Sequence, residues 1–156
     1  MACIGIIGAR KYKDRQSILG LVNAIPVGSI IITSSCQGVC TWVAEAAKAL
    51  GLEVKIYSPN LTGIRTRTEM VERYYHRNRQ LIEACDIVHA FISREDGFVG
   101  GTKFEVQYAK RLNKEVFLHW ENGGVQRICQ IPLPLGIRAR DLSDGWRNFF
   151  SEVLVM

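Results

Sequence analysis

"DIVHAFISREDGFVGGTKFEVQYAKRLNKEVFLHW" (86–120) decides the fold. "DIVHAFIS" (86–93) is a short apolar run, "GTKFEVQYAKRLN" (101–113) has helical spacing, and "EVFLHW" (115–120) is apolar and short again. A strand, a loop, a helix and a second strand in that order make a βαβ unit. Its strands are covered on both faces, so they read as continuous apolar runs rather than as strict alternation. The loop carries Gly100, Gly101 and Thr102, with Glu105 three residues after the threonine. Two readings follow. Adjacent glycines let the backbone approach a phosphate closely, and a helix N-terminus offers free N–H groups to an anion. Thr102-x-x-Glu105 equally spells a capping box, in which the threonine caps the helix and the glutamate reaches back to the cap. The spacing leaves both open.

Working outward, the same alternation repeats. Strands are expected at "CIGIIG" (3–8), "SIIITSS" (29–35) and "EVKIYS" (53–58). Helices are expected at "RQSILGLVNAI" (15–25), "CTWVAEAAKALG" (40–51, capped by Gly51) and "TRTEMVERYYHRNRQLIEAC" (66–85, capped by Thr66 or Thr68). Residues 121–127 read as a polar, Gly-containing link. "IPLPLG" is kept out of element interiors by its prolines, and "LSDGWRNFFSEVLVM" (142–156) reads as a closing helix. The sum is an α/β chain: a three-layer, Rossmann-like, doubly wound and mostly parallel sheet of at least five strands, with helices on both faces. Residues 1–156 are expected to form a single domain, with the motifs in 3–120 and an extension over 121–156. In such sheets ligands bind beyond the carboxyl ends of the strands. That rule selects the loops at 8–13, 34–38, 58–66 and 94–101.

Composition sets the broad class. Hydrophobic content of 47% and charged content of 22% are ordinary for a globular chain. No apolar run reaches the roughly 18 residues of a membrane span, and the opening "MACIGIIGARKY" reads as a first strand rather than a signal peptide. The five scattered cysteines match neither a disulfide framework nor a zinc pattern, which points to a reducing cytoplasm. A net charge of +5 favours anionic partners.

Four groups could carry chemistry. Gly8 permits a tight turn, and Arg10 after it could direct a guanidinium at phosphate, although Arg10 stands where a GxGxxG loop has its second glycine. Ser34, Ser35 and Gly38 precede a helix start that suits an anion, or the serines simply cap that helix. Cys36 at the same helix start is a candidate reactive thiol beside a plainer packing role. Arg73 and Arg77 share a helix face, and Arg77-Asn78-Arg79 lies close to a buried strand, either as a solvated basic face or as part of a site. No second histidine stands at metal spacing from His76, so neither a metal nor a cofactor is read.

"IGIIGARKY", "IIITSSCQGV", "HRNRQLIEACDIVHAF" and "GGTKFEVQYAKRLNKEVF" occur in the order seen in the SLOG superfamily, which the chain resembles over roughly residues 3–120. That superfamily includes the DNA-processing protein A, the YspA-like proteins and the Lonely Guy phosphoribohydrolases. The phosphoribohydrolases carry an Arg-Lys helix motif and a later Pro-Gly-Gly-x-Gly-Thr-x-x-Glu. Here Arg77-Asn78 takes the first place and Gly101-Thr102-Lys103-Phe104-Glu105 the end of the second, without the Pro-Gly-Gly-x and with asparagine for lysine. The resemblance implies Arg77 and Glu105 as a catalytic pair, with Gly100, Gly101, Thr102 and Asn78 at the phosphate. It implies a homodimer, and a nucleotide or phosphorylated nucleoside as ligand, with hydrolysis of the N-glycosidic bond of a nucleoside 5′-monophosphate as the enzymatic form. A non-catalytic nucleotide sensor and a single-stranded DNA-binding module are the alternatives, Arg77-Asn78-Arg79 being similar to the Arg-Asn-Arg of the DNA-processing protein. Tyr74, Tyr75 and Trp42 are its candidate stacking residues. A weaker similarity to nucleoside 2-deoxyribosyltransferases also places Glu105 at the sugar carbon, although Gln107 replaces that family's glycine and the partner aspartate is missing.

Overall fold

The computed structural model describes residues 2–129 and 154–155. Strands β1 (Cys3–Gly8), β2 (Ile30–Ser34), β3 (Glu53–Tyr57), β4 (Ile87–Ile92) and β5 (Glu115–Trp120) alternate with helices α1 (Arg15–Ala24), α2 (Val39–Ala49), α3 (Arg67–Glu83) and α4 (Gly100–Arg111). The sheet order is β3-β2-β1-β4-β5, all parallel, continued by antiparallel β6 (Gly124–Cys129) and the short antiparallel β7 (Leu154–Val155). The expected α/β architecture is therefore the observed one.

Alternation along the strands divides the core between the two faces. Ile4, Ile6, Ile31 and Phe91 pack against Ile18 and Val22 of α1 and Val39, Val43 and Ala47 of α2. Ile7, Ile32, Val88, Ala90 and Ile92 pack against Leu81 and Ile82 of α3 and Val106 and Ala109 of α4. Each helix contributes a narrow apolar stripe because its buried positions recur at helical spacing.

The helix ends follow local chemistry. Asp14 caps α1 by accepting from Ser17 N, and Thr66 caps α3 by accepting from Glu69 N. α2 ends in a Schellman motif: Leu52 N donates to Ala47 O and Gly51 N to Lys48 O, with Gly51 at φ 72°. α4 ends in the same way, with Asn113 at φ 59° in the left-handed position.

Two expectations are corrected. The link expected over 121–127 contains the start of β6. Glu121, Asn122 and Gly123 form a three-residue hairpin loop, and Gly124 pairs with Trp120. Asn122-Gly123-Gly124 was the legible signal, since Asn at φ 61° and Gly at φ 87° supply the left-handed conformations a tight hairpin needs. The closing helix expected over 142–156 falls almost wholly outside the described residues, as does "IPLPLG". Where described, at Leu154–Val155, the chain is a strand because it pairs with the open edge of β6. No helix among the described residues is long and apolar enough to cross a membrane.

Candidate nucleotide-binding crevice

The order 3-2-1-4-5 places a topological switch point between β1 and β4. The chain leaves β1 toward β2 on one side and returns from β3 to β4 on the other. The loops that follow the two strands diverge there and leave a crevice. A cavity of about 480 Å³ occupies it, within the usual range for a small-molecule site. Gly8 and Arg10 enter from β1, Ser34 from β2, Arg77 and Asn78 from α3, and Gly100, Gly101, Thr102 and Glu105 from α4. Nine of the eleven candidates are thus brought together. Ser35 is exposed and lines a shallower neighbouring groove with Arg10, Cys36 and Tyr74. Gly38 lies against the Arg10 backbone, where a Cβ would sit 2.8 Å from Arg10 O, and its φ is 83°. Close backbone approach alone requires a glycine there.

The capping-box reading of Glu105 is overturned. α4 begins at Gly100, with Val99 as its N-cap and no side-chain cap hydrogen bond. Thr102 is therefore already the third helical residue, and Glu105 sits a turn deeper, where its side chain faces the cavity instead of its own helix start. Glu105 is 7% exposed, and its Oε2 has no hydrogen-bond partner. Burial drives its pKa from the ordinary 4.5 up to about 8; Arg77 opposes the shift and Cys36 adds to it. Gly101 keeps the approach open, because a Cβ there would lie 3.7 Å from Asn78 Nδ2 and 4.0 Å from Glu105 Oε1.

Arg77 is likewise not on a solvated outer face. It is 4% exposed, because its helix turn lies against the carboxyl ends of β2 and β3. Its Nε donates to Asn78 Oδ1 at 2.8 Å, its Nη1 to Tyr57 O at 3.3 Å, and its Nη2 reaches Cys36 Sγ at 3.5 Å. The guanidinium carbon is 5.5 Å from the centre of the Tyr74 ring. These contacts fix the planar fork in place. Arg77 and Glu105 influence each other electrostatically yet form no direct ion pair, and both line the cavity.

The serines do not cap α2. Its N-cap is Gly38, with no side-chain hydrogen bond. Ser34 Oγ instead accepts from Cys36 N at 3.2 Å and donates to Cys40 Sγ at 3.1 Å. Two helix N-termini, those of α2 and α4, therefore reach the crevice without a side-chain cap. Val71, Tyr74, Tyr75 and Val99 form an apolar rim, and Tyr75 meets Phe104 edge-on at 4.5 Å. Trp42 packs with the α1–α2 core away from the crevice, under Arg15.

Sequence reasoning missed Asp96 and Lys11, which also line the cavity; their side chains pair at 3.6 Å across the loops after β4 and β1. It missed Glu121 as well. Glu121 accepts from Lys13 N and Asp14 N through Oε2 and from Arg94 N through Oε1, tying together the two loops that form the crevice. Nothing local marks such a residue, because its partners lie 27 and more positions away. Among the described residues no group of three or more His, Cys, Asp or Glu could hold a metal ion.

Fold and crevice together define a Rossmann-like sheet with an open cavity at the β1–β4 switch point. Solved structures share this fold. DNA processing protein A from Streptococcus pneumoniae superposes with a TM-score of 0.61 at 15% identity, over 96% of this chain and 56% of that one. DNA processing protein A from Helicobacter pylori, in a structure concerned with that protein's single-stranded DNA binding mode, superposes with a TM-score of 0.57 at 17% identity, over 86% of this chain and 67% of that one. The chain thus spans little more than half the length of the Streptococcus structure. DNA processing protein A belongs to the SLOG superfamily, so the fold implied by the sequence resemblance is the fold observed. No family model and no curated protein matches the sequence.

Proposed function

We propose that the crevice binds a nucleoside 5′-monophosphate and that Glu105 promotes hydrolysis of its N-glycosidic bond. The observation that carries this reading is the Glu105 carboxyl, buried, unpartnered and lining an open cavity beside a fixed arginine. An unsatisfied buried carboxyl costs stability and calls for a use. In the proposed complex the phosphate lies at the uncapped start of α4, at Gly100, Gly101 and Thr102, with Arg10 and Arg77 supplying positive charge. The base lies against the apolar rim of Val71, Tyr74 and Tyr75. Breaking the bond between C1′ and the base nitrogen builds positive charge on the ribose, and an ionised Glu105 stabilises it. Water supplies the hydroxyl that C1′ gains and the proton that leaves with the base. The test is incubation with AMP and the other monophosphates, with chromatographic detection of free base. Release by the native chain and its loss in Glu105→Gln support the reading. Tight AMP binding with no release from either protein would leave a nucleotide sensor and sink the hydrolase.

A second reading, single-stranded DNA binding, is favoured by the grooves that adjoin the crevice. The groove of Arg10, Ser35, Cys36 and Tyr74 shares Ser58 with another lined by Arg73, His76, Arg77 and Arg79. A basic track with an interleaved aromatic suits a phosphate backbone with stacked bases. Steeply salt-dependent binding of an oligonucleotide, with no binding of AMP, would select it. We further propose one domain over residues 1–156, a cytoplasmic setting in keeping with free Cys3, Cys36, Cys40 and Cys85, and a homodimer, to be checked by light scattering. The exposed Met70, Val71 and Tyr75 on α3 give a homodimer an apolar face to bury.

A further inference from the structure

Cys36 lies where the crevice and its neighbouring groove meet, and it lines both. It is half-buried, two residues ahead of Gly38, the N-cap of α2, which makes no side-chain cap hydrogen bond. Its sulfur faces Arg77 Nη2 at 3.5 Å, and its backbone N–H is held by Ser34 Oγ. Burial pushes the thiol up, but the hydrogen bond to Ser34 and the charges of Arg77 and Arg10 outweigh burial, so it ionises below the ordinary 9.0. A second observation marks the same cavity as built for a ligand: it is lined by Glu105, a residue only 7% exposed whose Oε2 is buried without a partner. The molecule supplies its own controls. Cys40 and Cys85 are fully buried and shifted upward by burial, Cys85 to about 12, and Cys3 is half-buried on β1 and does not line the crevice.

We propose that Cys36 is a peroxide-sensitive thiol whose oxidation occupies the space beside Arg77 and closes the crevice to its anionic ligand. The thiolate sulfur attacks one oxygen of hydrogen peroxide. An S–O bond forms as the O–O bond breaks, the sulfur loses two electrons to the peroxide, and the departing hydroxide takes a proton and leaves as water. The product is a sulfenic acid, which a dithiol reductant returns to the thiol. The oxidation stands on the surroundings of the sulfur alone; only its effect on ligand binding rests on the nucleotide reading.

The experiment treats the full chain with hydrogen peroxide at pH 7 in the presence of a sulfenic-acid trap and maps the adduct by peptide mass spectrometry. Cys36 should be trapped at least about tenfold faster than Cys3, with Cys40 and Cys85 unlabelled. Arg77→Met should slow trapping at Cys36 by about tenfold through the lost neighbouring charge. Because Arg77 is buried and that variant can fail to fold, Arg10→Ala at an exposed position provides a second measure, with a slowing of about twofold to threefold expected. Trapping at Cys36 no faster than at Cys3, or unchanged by Arg10→Ala in a folded chain, overturns the proposal. AMP should protect Cys36, and peroxide should abolish AMP binding until a dithiol restores it. Selective trapping without any AMP binding upholds the thiol and removes the nucleotide reading. AMP binding that survives complete oxidation of Cys36 overturns the closure.

Discussion

Two glutamates at the carboxyl end of the same sheet have opposite environments. Glu105 is carried on α4 into the crevice, where its Oε2 has no partner and burial lifts its pKa to about 8. Glu121 follows β5 and is tied to the backbone N–H groups of Lys13, Asp14 and Arg94. Partial burial pushes Glu121 upward, but the hydrogen bonds from Lys13, Arg94 and Asp14 outweigh it and hold the carboxyl below the ordinary 4.5. A carboxylate that already has its donors is spent on architecture. One deprived of them carries a penalty that a ligand can relieve. Glu121 closes the two loops that shape the crevice, and Glu105 waits inside it.

The comparison can be broken most severely at Glu105. Glu105→Gln should lower base release from AMP by about a hundredfold to a thousandfold, while raising the free energy of unfolding near neutral pH by about 2 kcal/mol, because a buried, unpartnered carboxyl is removed. Urea titration beside the chromatographic assay measures both; a loss of stability would show that the carboxyl has a structural partner after all.

The pH dependence should separate the two glutamates next, with slopes of opposite sign. Glu105 has a raised folded pKa, so the native state holds a proton that the unfolded chain has lost. Its contribution to stability is complete below about 4.5 and is lost as pH rises through about 8. Glu121 has a depressed folded pKa, so its contribution is present above 4.5 and is lost as pH falls through the lower folded value. Denaturation midpoints across pH should show the alkaline-side decline flattened in Glu105→Gln and the acid-side decline flattened in Glu121→Gln.

Gly101→Ala tests the open approach to Glu105. The added Cβ meets nothing closer than 3.7 Å, so the helix should tolerate it or gain up to about 1 kcal/mol, while AMP affinity drops by about tenfold as the methyl fills space before the carboxylate. Calorimetric titration with unchanged affinity would move the ligand elsewhere. The smallest effect is expected for Glu121→Gln at neutral pH. It should lose about 1 kcal/mol of stability, after allowance for solvent screening of a partly exposed group, with AMP affinity within about twofold.

Legibility differed from element to element. The five parallel strands and four helices were readable because apolar runs bounded by Gly, Thr and Asp recur at short intervals, and each helix stripe has a period of its own. β6 was not readable as a strand. It is an edge strand, Val125 is 54% exposed, and its composition is that of a loop; only the Asn122-Gly123-Gly124 turn betrayed it. Nine candidate residues converge on one cavity because strand order, which turns short local patterns into neighbours, carries four separate segments to the switch point. The gap between a capping glutamate and a buried one was a single turn of helix. Thr102-x-x-Glu105 fits either, and the choice was made by where α4 begins.

From the residues alone came the alternating α/β architecture, the parallel sheet and the end of the sheet at which the crevice opens. Those follow from periodicity and from the chirality of βαβ connections, which are properties of short segments. The tertiary structure alone decided that Arg77 is buried and fixed, that Glu121 binds the loops together, that Cys36 lies against an arginine, and that Glu105 faces the crevice without a partner. The reason is that burial and hydrogen-bond satisfaction depend on groups brought together from distant parts of the chain, and no local pattern records what a side chain will meet.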